Sequence, residues 1–504
     1  MAVGTLSAGI GVTGFGYRCT WLGSTDNGEH MADGRVGTGA GYRILIENSE
    51  HWLRNNGDLA MMAVTIRRLR QRWPEARIGV VTEVPALLTA YFPEATGINP
   101  YKPDPWAAPG PFERLAAKIG PAVIGPPAVA RLRTRTKFLE RARKTWLHGK
   151  ARNARNAVRD RIAARRRGSA PEAAGVAQGG ERYPGAFAAA REATLVLALG
   201  GGYLTDSDLY QANRVIDVLE VAVAAGVPTA LVGQGLGPMR DSELRARAAA
   251  VLPQTGFISL RERRRGPRLL EELDVPVART LVTGDDAIEL AYDIRRTTPG
   301  TDIGVCLRVA EYAPVSQSAQ DTVGRVVRML AAEFGCGLMP LIIAEHPGSP
   351  DRATTLPLVR GAANVARPQG RFTHPTAIAE RVSQCRILVT GAYHLAVFAL
   401  AQGIPVVACT STEYYDDKFL GLVDMFGGGL HLVHLADERL AEELEAAMRT
   451  AWKSADEVRD TLLTRAVEQI DASVQAFEQV YALAERAVDS TGPATASDMA
   501  DGTM

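Results

Sequence analysis

Cysteine is scarce in this chain of 504 residues. The five present, Cys19, Cys306, Cys336, Cys385 and Cys409, show no CxxC spacing, which argues against a disulfide framework and against the usual zinc patterns. Cys306 and Cys409 lie in apolar runs, where a reduced and buried thiol is expected, so the compartment is read as reducing cytoplasm. Long apolar runs are missing too. None approaches the roughly 20 residues that span a bilayer, and the N-terminus lacks a basic-then-apolar signal pattern. Net charge is nearly absent: 57 Lys and Arg against 56 Asp and Glu leave +1. No global field therefore draws the chain to nucleic acid or to an anionic membrane, and any such attraction has to be local. What remains is ample apolar material, 46% of all residues, enough core for two domains of ordinary size with extensions.

Composition divides the chain. Residues 1–41 are rich in Gly, Ser and Thr without apolar periodicity and read as a flexible leader. From Tyr42, the run RILIEN, the turn and helix beginning NNGDLAMM, and the run ARIGVVTE form a βαβ unit. Residues 103–190 interrupt it with a Pro-rich stretch, a basic stretch over 131–167 and a Gly-rich return. In the basic stretch Lys and Arg outnumber acids by about thirteen. Two readings stand for it: a solvated helical insertion, or a patch that recruits a polyanionic acceptor or an anionic membrane surface. Alternation resumes at ATLVLALGGGYL and runs through TALVGQGLGP, FISLRER and TLVTGDDAIEL. A second set follows in DIGVCLRV, GLMPLIIAEH, RILVTGAYH and IPVVACTS. These runs are continuously apolar, as strands covered on both faces by helices are, which predicts an α/β class with doubly wound parallel sheets. The expected domains are 42–296, carrying the insertion, and 297–434, followed by C-terminal helices over 435–488 and a disordered tail over 489–504.

In open parallel sheets, ligands bind beyond the carboxyl ends of the strands. Several chemistry-bearing residues stand at such places. In NNGDLA, Asn56 and Asp58 belong either to an ordinary capped turn or to a helix start aimed at a cleft. LGGGYLTD brings Gly201 and Gly202, and VGQGLGP brings Gln234 and Gly235, two Gly-rich turns that let backbone amides approach an anion. Arg261 directly follows the strand FISL, offering a planar fork suited to phosphate or carboxylate. Asp285 and Asp286 in GDDAIEL are either a helix cap and its neighbour or ligands of an acceptor hydroxyl. Arg308 ends GVCLR, and His346 follows LIIAEH with Asp351 close behind. His394 sits between the strand RILVTG and an apolar helix, at the helix start where dipole and orphan amides favour anions. Lys418 either faces the same anion or is solvated.

Taken in order, NNGDLAMM, LGGGYLTD, VGQGLGP, SLRERR, GDDAIEL, LRV and YHLAVFALAQGIPVV followed by a lysine resemble the polysaccharide pyruvyl transferase family. The resemblance runs from about Ile44 to Gly429, outside the basic insertion. It implies a GT-B-like pair of Rossmann-like domains facing a cleft, phosphoenolpyruvate as co-substrate without any further cofactor or metal, and a sugar-containing acceptor. The cysteines and the charge balance fit a cytoplasmic enzyme with no specific nucleic-acid partner, and the basic stretch 131–167 leaves open a peripheral place at the inner membrane face. By motif position His394 is similar to the family's histidine and becomes the candidate acid, and Arg261 resembles its donor-binding arginine. Gly201, Gly202, Gln234, Gly235, Arg308 and Lys418 are the donor and anion candidates; Asn56, Asp58, Asp286 and His346 are the acceptor candidates. One position departs: two residues before the histidine, where the family commonly has arginine, this chain has Ala392. A nucleotide-sugar glycosyltransferase of the same architecture and a non-catalytic relative are the competing expectations.

Overall fold

The apolar runs form strands that are almost wholly buried, and the polar residues that punctuate them cap the intervening helices. The computed structural model describes residues 38–48, 50–132, 134, 182–309, 313–346 and 350–491. Most of the expected leader, of the basic stretch 131–167 and of the expected tail lies outside these residues. Among the described residues, no helix is long and apolar enough to cross a membrane.

The first sheet contains β1 (Arg43–Glu47), β2 (Arg77–Val81), β3 (Thr96–Ile98), β4 (Leu195–Ala198), β5 (Gly201–Leu204), β6 (Thr229–Leu236), β7 (Phe257–Leu260) and β8 (Thr280–Val282). Its order is β3-β2-β1-β4-β6-β7-β8, with β5 paired to the end of β6 and all pairs parallel. The chain leaves β1 in both directions across the sheet, so the switch point lies between β1 and β4. The second sheet holds β9 (Asp302–Cys306), β10 (Leu338–Pro340), β11 (Cys385–Thr390), β12 (Val406–Thr410) and β13 (Leu430–His434) in the parallel order β10-β9-β11-β12-β13. Its switch point lies between β9 and β11. The molecule is thus α/β with two Rossmann-like doubly wound sheets whose strand ends face a common cleft, a GT-B-like arrangement.

Local signals explain the helix starts. Asn55 caps the helix Asn56–Arg72 by accepting from Gly57 N at 3.0 Å, so the cap is Asn55 and not Asp58. The glycines of the two Gly-rich segments also behave differently from simple turns. Gly201 and Gly202 open β5, while Gly233, Gln234 and Gly235 belong to β6 itself. The expected C-terminal helices are one helix of 52 residues, Leu440–Thr491, which takes in the first residues of the expected tail. It packs on β11 to β13 and then on β6 to β8, fastening the two sheets together. On the first domain Phe477 is 1% exposed. The Arg68 guanidinium lies 4.7 Å from its ring, and the Tyr481 ring meets Trp73 at 5.2 Å. Replacing Phe477 with Ala should cost about 3–5 kcal/mol, measured by chemical denaturation; a loss below about 1 kcal/mol would show that this end of the helix is not part of the first domain's fold.

Candidate active site

Between the two sheets lies a cavity of about 810 Å³. Its walls come from the residues that follow strands of both domains: Asp58 after β1, Arg261 after β7, Arg308 after β9, His346 after β10, His394 after β11 and Lys418 after β12. Sequence segments hundreds of residues apart therefore converge as the strand-end rule requires.

Arg261 is 3% exposed. Its Nη1 stands 3.3 Å from Asp285 Oδ2, and its guanidinium carbon 4.2 Å from the centre of the Tyr393 ring. Glycines make the space. A Cβ on Gly235 would lie 2.7 Å from Arg261 Nε, and one on Gly202 would lie 2.7 Å from Arg261 Nη2 and 3.1 Å from Lys418 Nζ. Lys418 Nζ rests 3.9 Å from the centre of the Tyr414 ring, whose hydroxyl donates to Gly202 O at 2.8 Å. From the other domain Arg308 Nη1 donates to Asp351 Oδ1 at 2.9 Å, and Asp351 Oδ2 accepts from Ala344 N at 2.8 Å.

His394 opens the helix Tyr393–Ala401, whose N-cap is Ala392. Among the described residues its Nε2 has no hydrogen-bond partner, and it stands 3.7 Å from Asp285 Oδ2, too far for a hydrogen bond. Only glycine fits opposite it: a Cβ on Gly57 would fall 2.0 Å from His394 Nδ1. Burial, reinforced by Arg261, Lys418 and Arg308 and opposed by Asp285, pushes the His394 pKa down to about 4. Burial first, then Arg261 and Arg308, holds Lys418 well below the usual lysine range. Asp58 moves the other way: burial, with Glu50 and Asp285, raises it to about 7 against the pull of Arg261 and Arg308. His346, 3.3 Å from Glu50 Oε2, is lowered to about 4, chiefly by burial. The cavity is thus an enclosure where cations crowd one another without a full complement of anions.

Four expected site residues are placed elsewhere. Gln234 is fully buried, and its Nε2 donates to Leu199 O at 2.8 Å and to Tyr203 Oη at 2.9 Å, behind the cavity wall. Gly201 pairs with Gln234 between β5 and β6 and does not line the cavity. Asp286 turns away to accept from Ser473 Oγ at 2.5 Å; Asp285, its neighbour, faces Arg261 instead and caps the next helix through Ala287 N. Asn56 lies in the seam between domains, its backbone N donating to Ile343 O at 2.8 Å. Gly235 borders a narrow adjoining pocket that also touches Arg261. The residues sequence reasoning passed over are Tyr393, Tyr414 and Glu50. Aromatics adjoining a singled-out histidine and preceding a lysine on the same helix were the available signal for the first two.

The titration of His394 tests this geometry. Because its pKa is lowered, the imidazolium is lost as pH rises through about 4, and at neutral pH the ring is neutral. Followed by NMR and assigned with His394→Gln, its midpoint should move upward when inorganic phosphate offsets Arg261, Lys418 and Arg308. A midpoint near the ordinary 6.5 that phosphate leaves unmoved would contradict the enclosure.

A family model for polysaccharide pyruvyl transferase matches residues 55–413. No curated protein sequence matches the chain significantly. Among solved structures it is similar to the UDP-GlcNAc 2-epimerase of Neisseria meningitidis bound to UDP-GlcNAc, with 11% identity, 88% of this chain and 100% of that one covered, and a TM-score of 0.49. It is also similar to the UDP-GlcNAc 2-epimerase of Methanocaldococcus jannaschii, with 10% identity, 82% and 92% covered, and a TM-score of 0.45. A third is the calicheamicin glycosyltransferase, with 12% identity, 88% and 98% covered, and a TM-score of 0.42. With the family model spanning both domains and every cavity-forming strand end from Asn55 to the start of the Lys418 helix, this chain belongs to the polysaccharide pyruvyl transferase family and is a transferase.

Proposed function

We propose that the cavity moves the pyruvyl group of phosphoenolpyruvate to hydroxyls of a glycan or glycosylated acceptor and closes a pyruvate ketal. The observation that carries this reading is the convergence of Arg261, Arg308 and Lys418 around His394 in one enclosed space. Phosphoenolpyruvate bears a phosphate and a carboxylate, and planar guanidinium groups from the two domains suit one anionic group each. With Ala392 where the family commonly has arginine, the clamp rests on these three cations.

The same charges suit the steps. A bound polyanion offsets the repulsion from Arg261 and Arg308 that, after burial, disfavours the protonated forms of His394 and Lys418, so donor binding itself favours a proton on the imidazole. His394 then gives that proton to the methylene carbon of the donor, leaving C2 with oxocarbenium character. An acceptor hydroxyl forms the new C–O bond at C2 and passes its proton to Asp58, whose carboxyl at about 7 can hold it near neutrality. Cleavage of the C2–O bond releases phosphate, which carries off the proton held by Asp58, and a second hydroxyl closes the ring at C2 as its proton returns to His394. His346 and Glu50, which line the same cavity, are the groups we assign to sugar hydroxyls. The proposed chemistry calls on no cofactor beyond the donor.

Purified protein given phosphoenolpyruvate and a panel of hexose and hexosamine acceptors should release phosphate. His394→Ala should abolish the release. Asp58→Asn should lower kcat by about 10²-fold or more while donor affinity stays nearly constant. Neither phosphate release nor donor binding would defeat the reading. Thermal stabilisation by UDP or GDP without stabilisation by phosphoenolpyruvate would point to a nucleotide-sugar glycosyltransferase instead. Activity that emerges only in Ala392→Arg would mark the chain as a degenerate relative.

A further inference from the structure

Beyond the narrow pocket that Gly235 borders lies a second open space, a groove of about 670 Å³. Residues after β6, the helix Gly266–Glu272 and the second domain's helix Glu413–Phe426 line it. The narrow pocket joins groove and cavity: it shares Gly202, Arg261 and Lys418 with the cavity, and Gly237, Arg264 and Arg265 with the groove. Arginine dominates the groove's wall. Arg240, Arg245, Arg263, Arg264, Arg265 and Arg268 stand there against three acids, Glu272, Asp417 and Asp424.

Those acids are already shared. Glu272 meets Arg245 at 3.0 Å and Arg268 at 2.9 Å, and Asp424 meets Arg264 at 3.2 Å. Asp417 pairs with Arg265, which also reaches Glu413 at 2.9 Å, and stands 3.8 Å from Arg264. Three further acids nearby are turned to backbone N–H groups: Glu262 accepts from Arg264, Arg265 and Gly266, Asp206 from Arg240 and Asp241, and Asp241 from Leu244. Arg240 and Arg263 are exposed, and among the described residues neither guanidinium has a carboxylate within ion-pair distance. Planar guanidinium forks favour anions that present several oxygens, and a phosphate group presents three or more where a carboxylate presents two. Exposed ion pairs are weak, so Arg264 and Arg268 can turn from their carboxylates to an entering phosphate at little cost.

We propose that this groove is a second phosphate site, separate from the one formed by Arg261, Arg308 and Lys418. Two sources offer the ligand: the donor's phosphate, leaving the cavity through the narrow pocket, or a phosphate group borne by the acceptor. Only this choice of source rests on the pyruvyl-transfer reading. In equilibrium dialysis against labelled inorganic phosphate at low salt, the full-length protein should take up two equivalents, and the combined variant Arg240→Gln, Arg263→Gln, Arg268→Gln one. The variant should keep the phosphate-driven rise of the His394 midpoint and, because the substituted side chains are exposed, the thermal midpoint of the wild type. A wild type that takes up a single equivalent, or a variant that takes up two, overturns the proposal. Kinetics name the source. A KM for hexose phosphate raised at least about tenfold in the variant, with that for the unphosphorylated hexose unchanged, assigns the groove to the acceptor. Inhibition by phosphate weakened at least about tenfold, with both acceptors alike, assigns it to the departing phosphate. Neither change marks an adventitious ion only and sinks the proposal. A wild type without any transfer defeats the pyruvyl-transfer reading by itself, since the equivalents are counted without turnover.

Discussion

A guanidinium buried to 3% exposure is the constraint on which the site depends. A charge removed from water is tolerated only with a counter-charge and close polar or aromatic contacts. Arg261 obtains these from Asp285 and from the face of Tyr393. It also needs volume, which Gly202 and Gly235 supply by having no Cβ. Thus the glycines that resemble anion-binding turns in sequence serve first to seat a cation. Removing Asp285 would leave the guanidinium buried and unpaired, a change that costs about 3–5 kcal/mol in comparable buried pairs.

The pairing is incomplete, and that incompleteness is what makes the pocket chemically poised. Asp285 serves Arg261 and lies too far from His394 to satisfy it, while Lys418 has only aromatic faces and distant carboxylates to offset its burial. Acid and base are therefore displaced in opposite senses: the pKa of the imidazole falls to about 4 and that of the Asp58 carboxyl rises to about 7, so that Asp58 can take up a proton near neutrality. An anion between Arg261 and Arg308 would oppose the first displacement by offsetting the Coulombic share that these cations add to burial.

Strand runs such as DIGVC and VVACT, and the placement of Arg261, Arg308, His346, His394 and Lys418 at strand ends, were legible because period and position are local properties of sequence. What was not legible depends on remote partners. Asp285 and Asp286 look alike in sequence, yet Ser473, 187 residues away, takes Asp286 and leaves Asp285 to the cavity. Gln234 is withdrawn by Tyr203 and the carbonyls of β4, since a buried amide must satisfy its donors wherever they are found. The strands β3 and β5 went unread because each is short, and β5 begins with two glycines, residues that ordinarily mark a turn; in β13, LHLVH, two histidines interrupt the apolar run.

Closure of the cleft and presentation of Arg308 form one hydrogen-bonded chain. Asn55 of the first domain bridges to Ala344 of the second, flanked by Asn56 N to Ile343 O at 2.8 Å and Glu345 N to Arg54 O at 3.0 Å. Ala344 N in turn donates to Asp351, and Asp351 holds Arg308. The helix start that supplies Gly57, against which His394 packs, belongs to the same seam. Separating the domains would therefore remove the wall of the imidazole and loosen the support of Arg308 together. An anion held by Arg261 on one side and Arg308 on the other would favour this juxtaposition of the domains by as much as its affinity exceeds that for domains set apart.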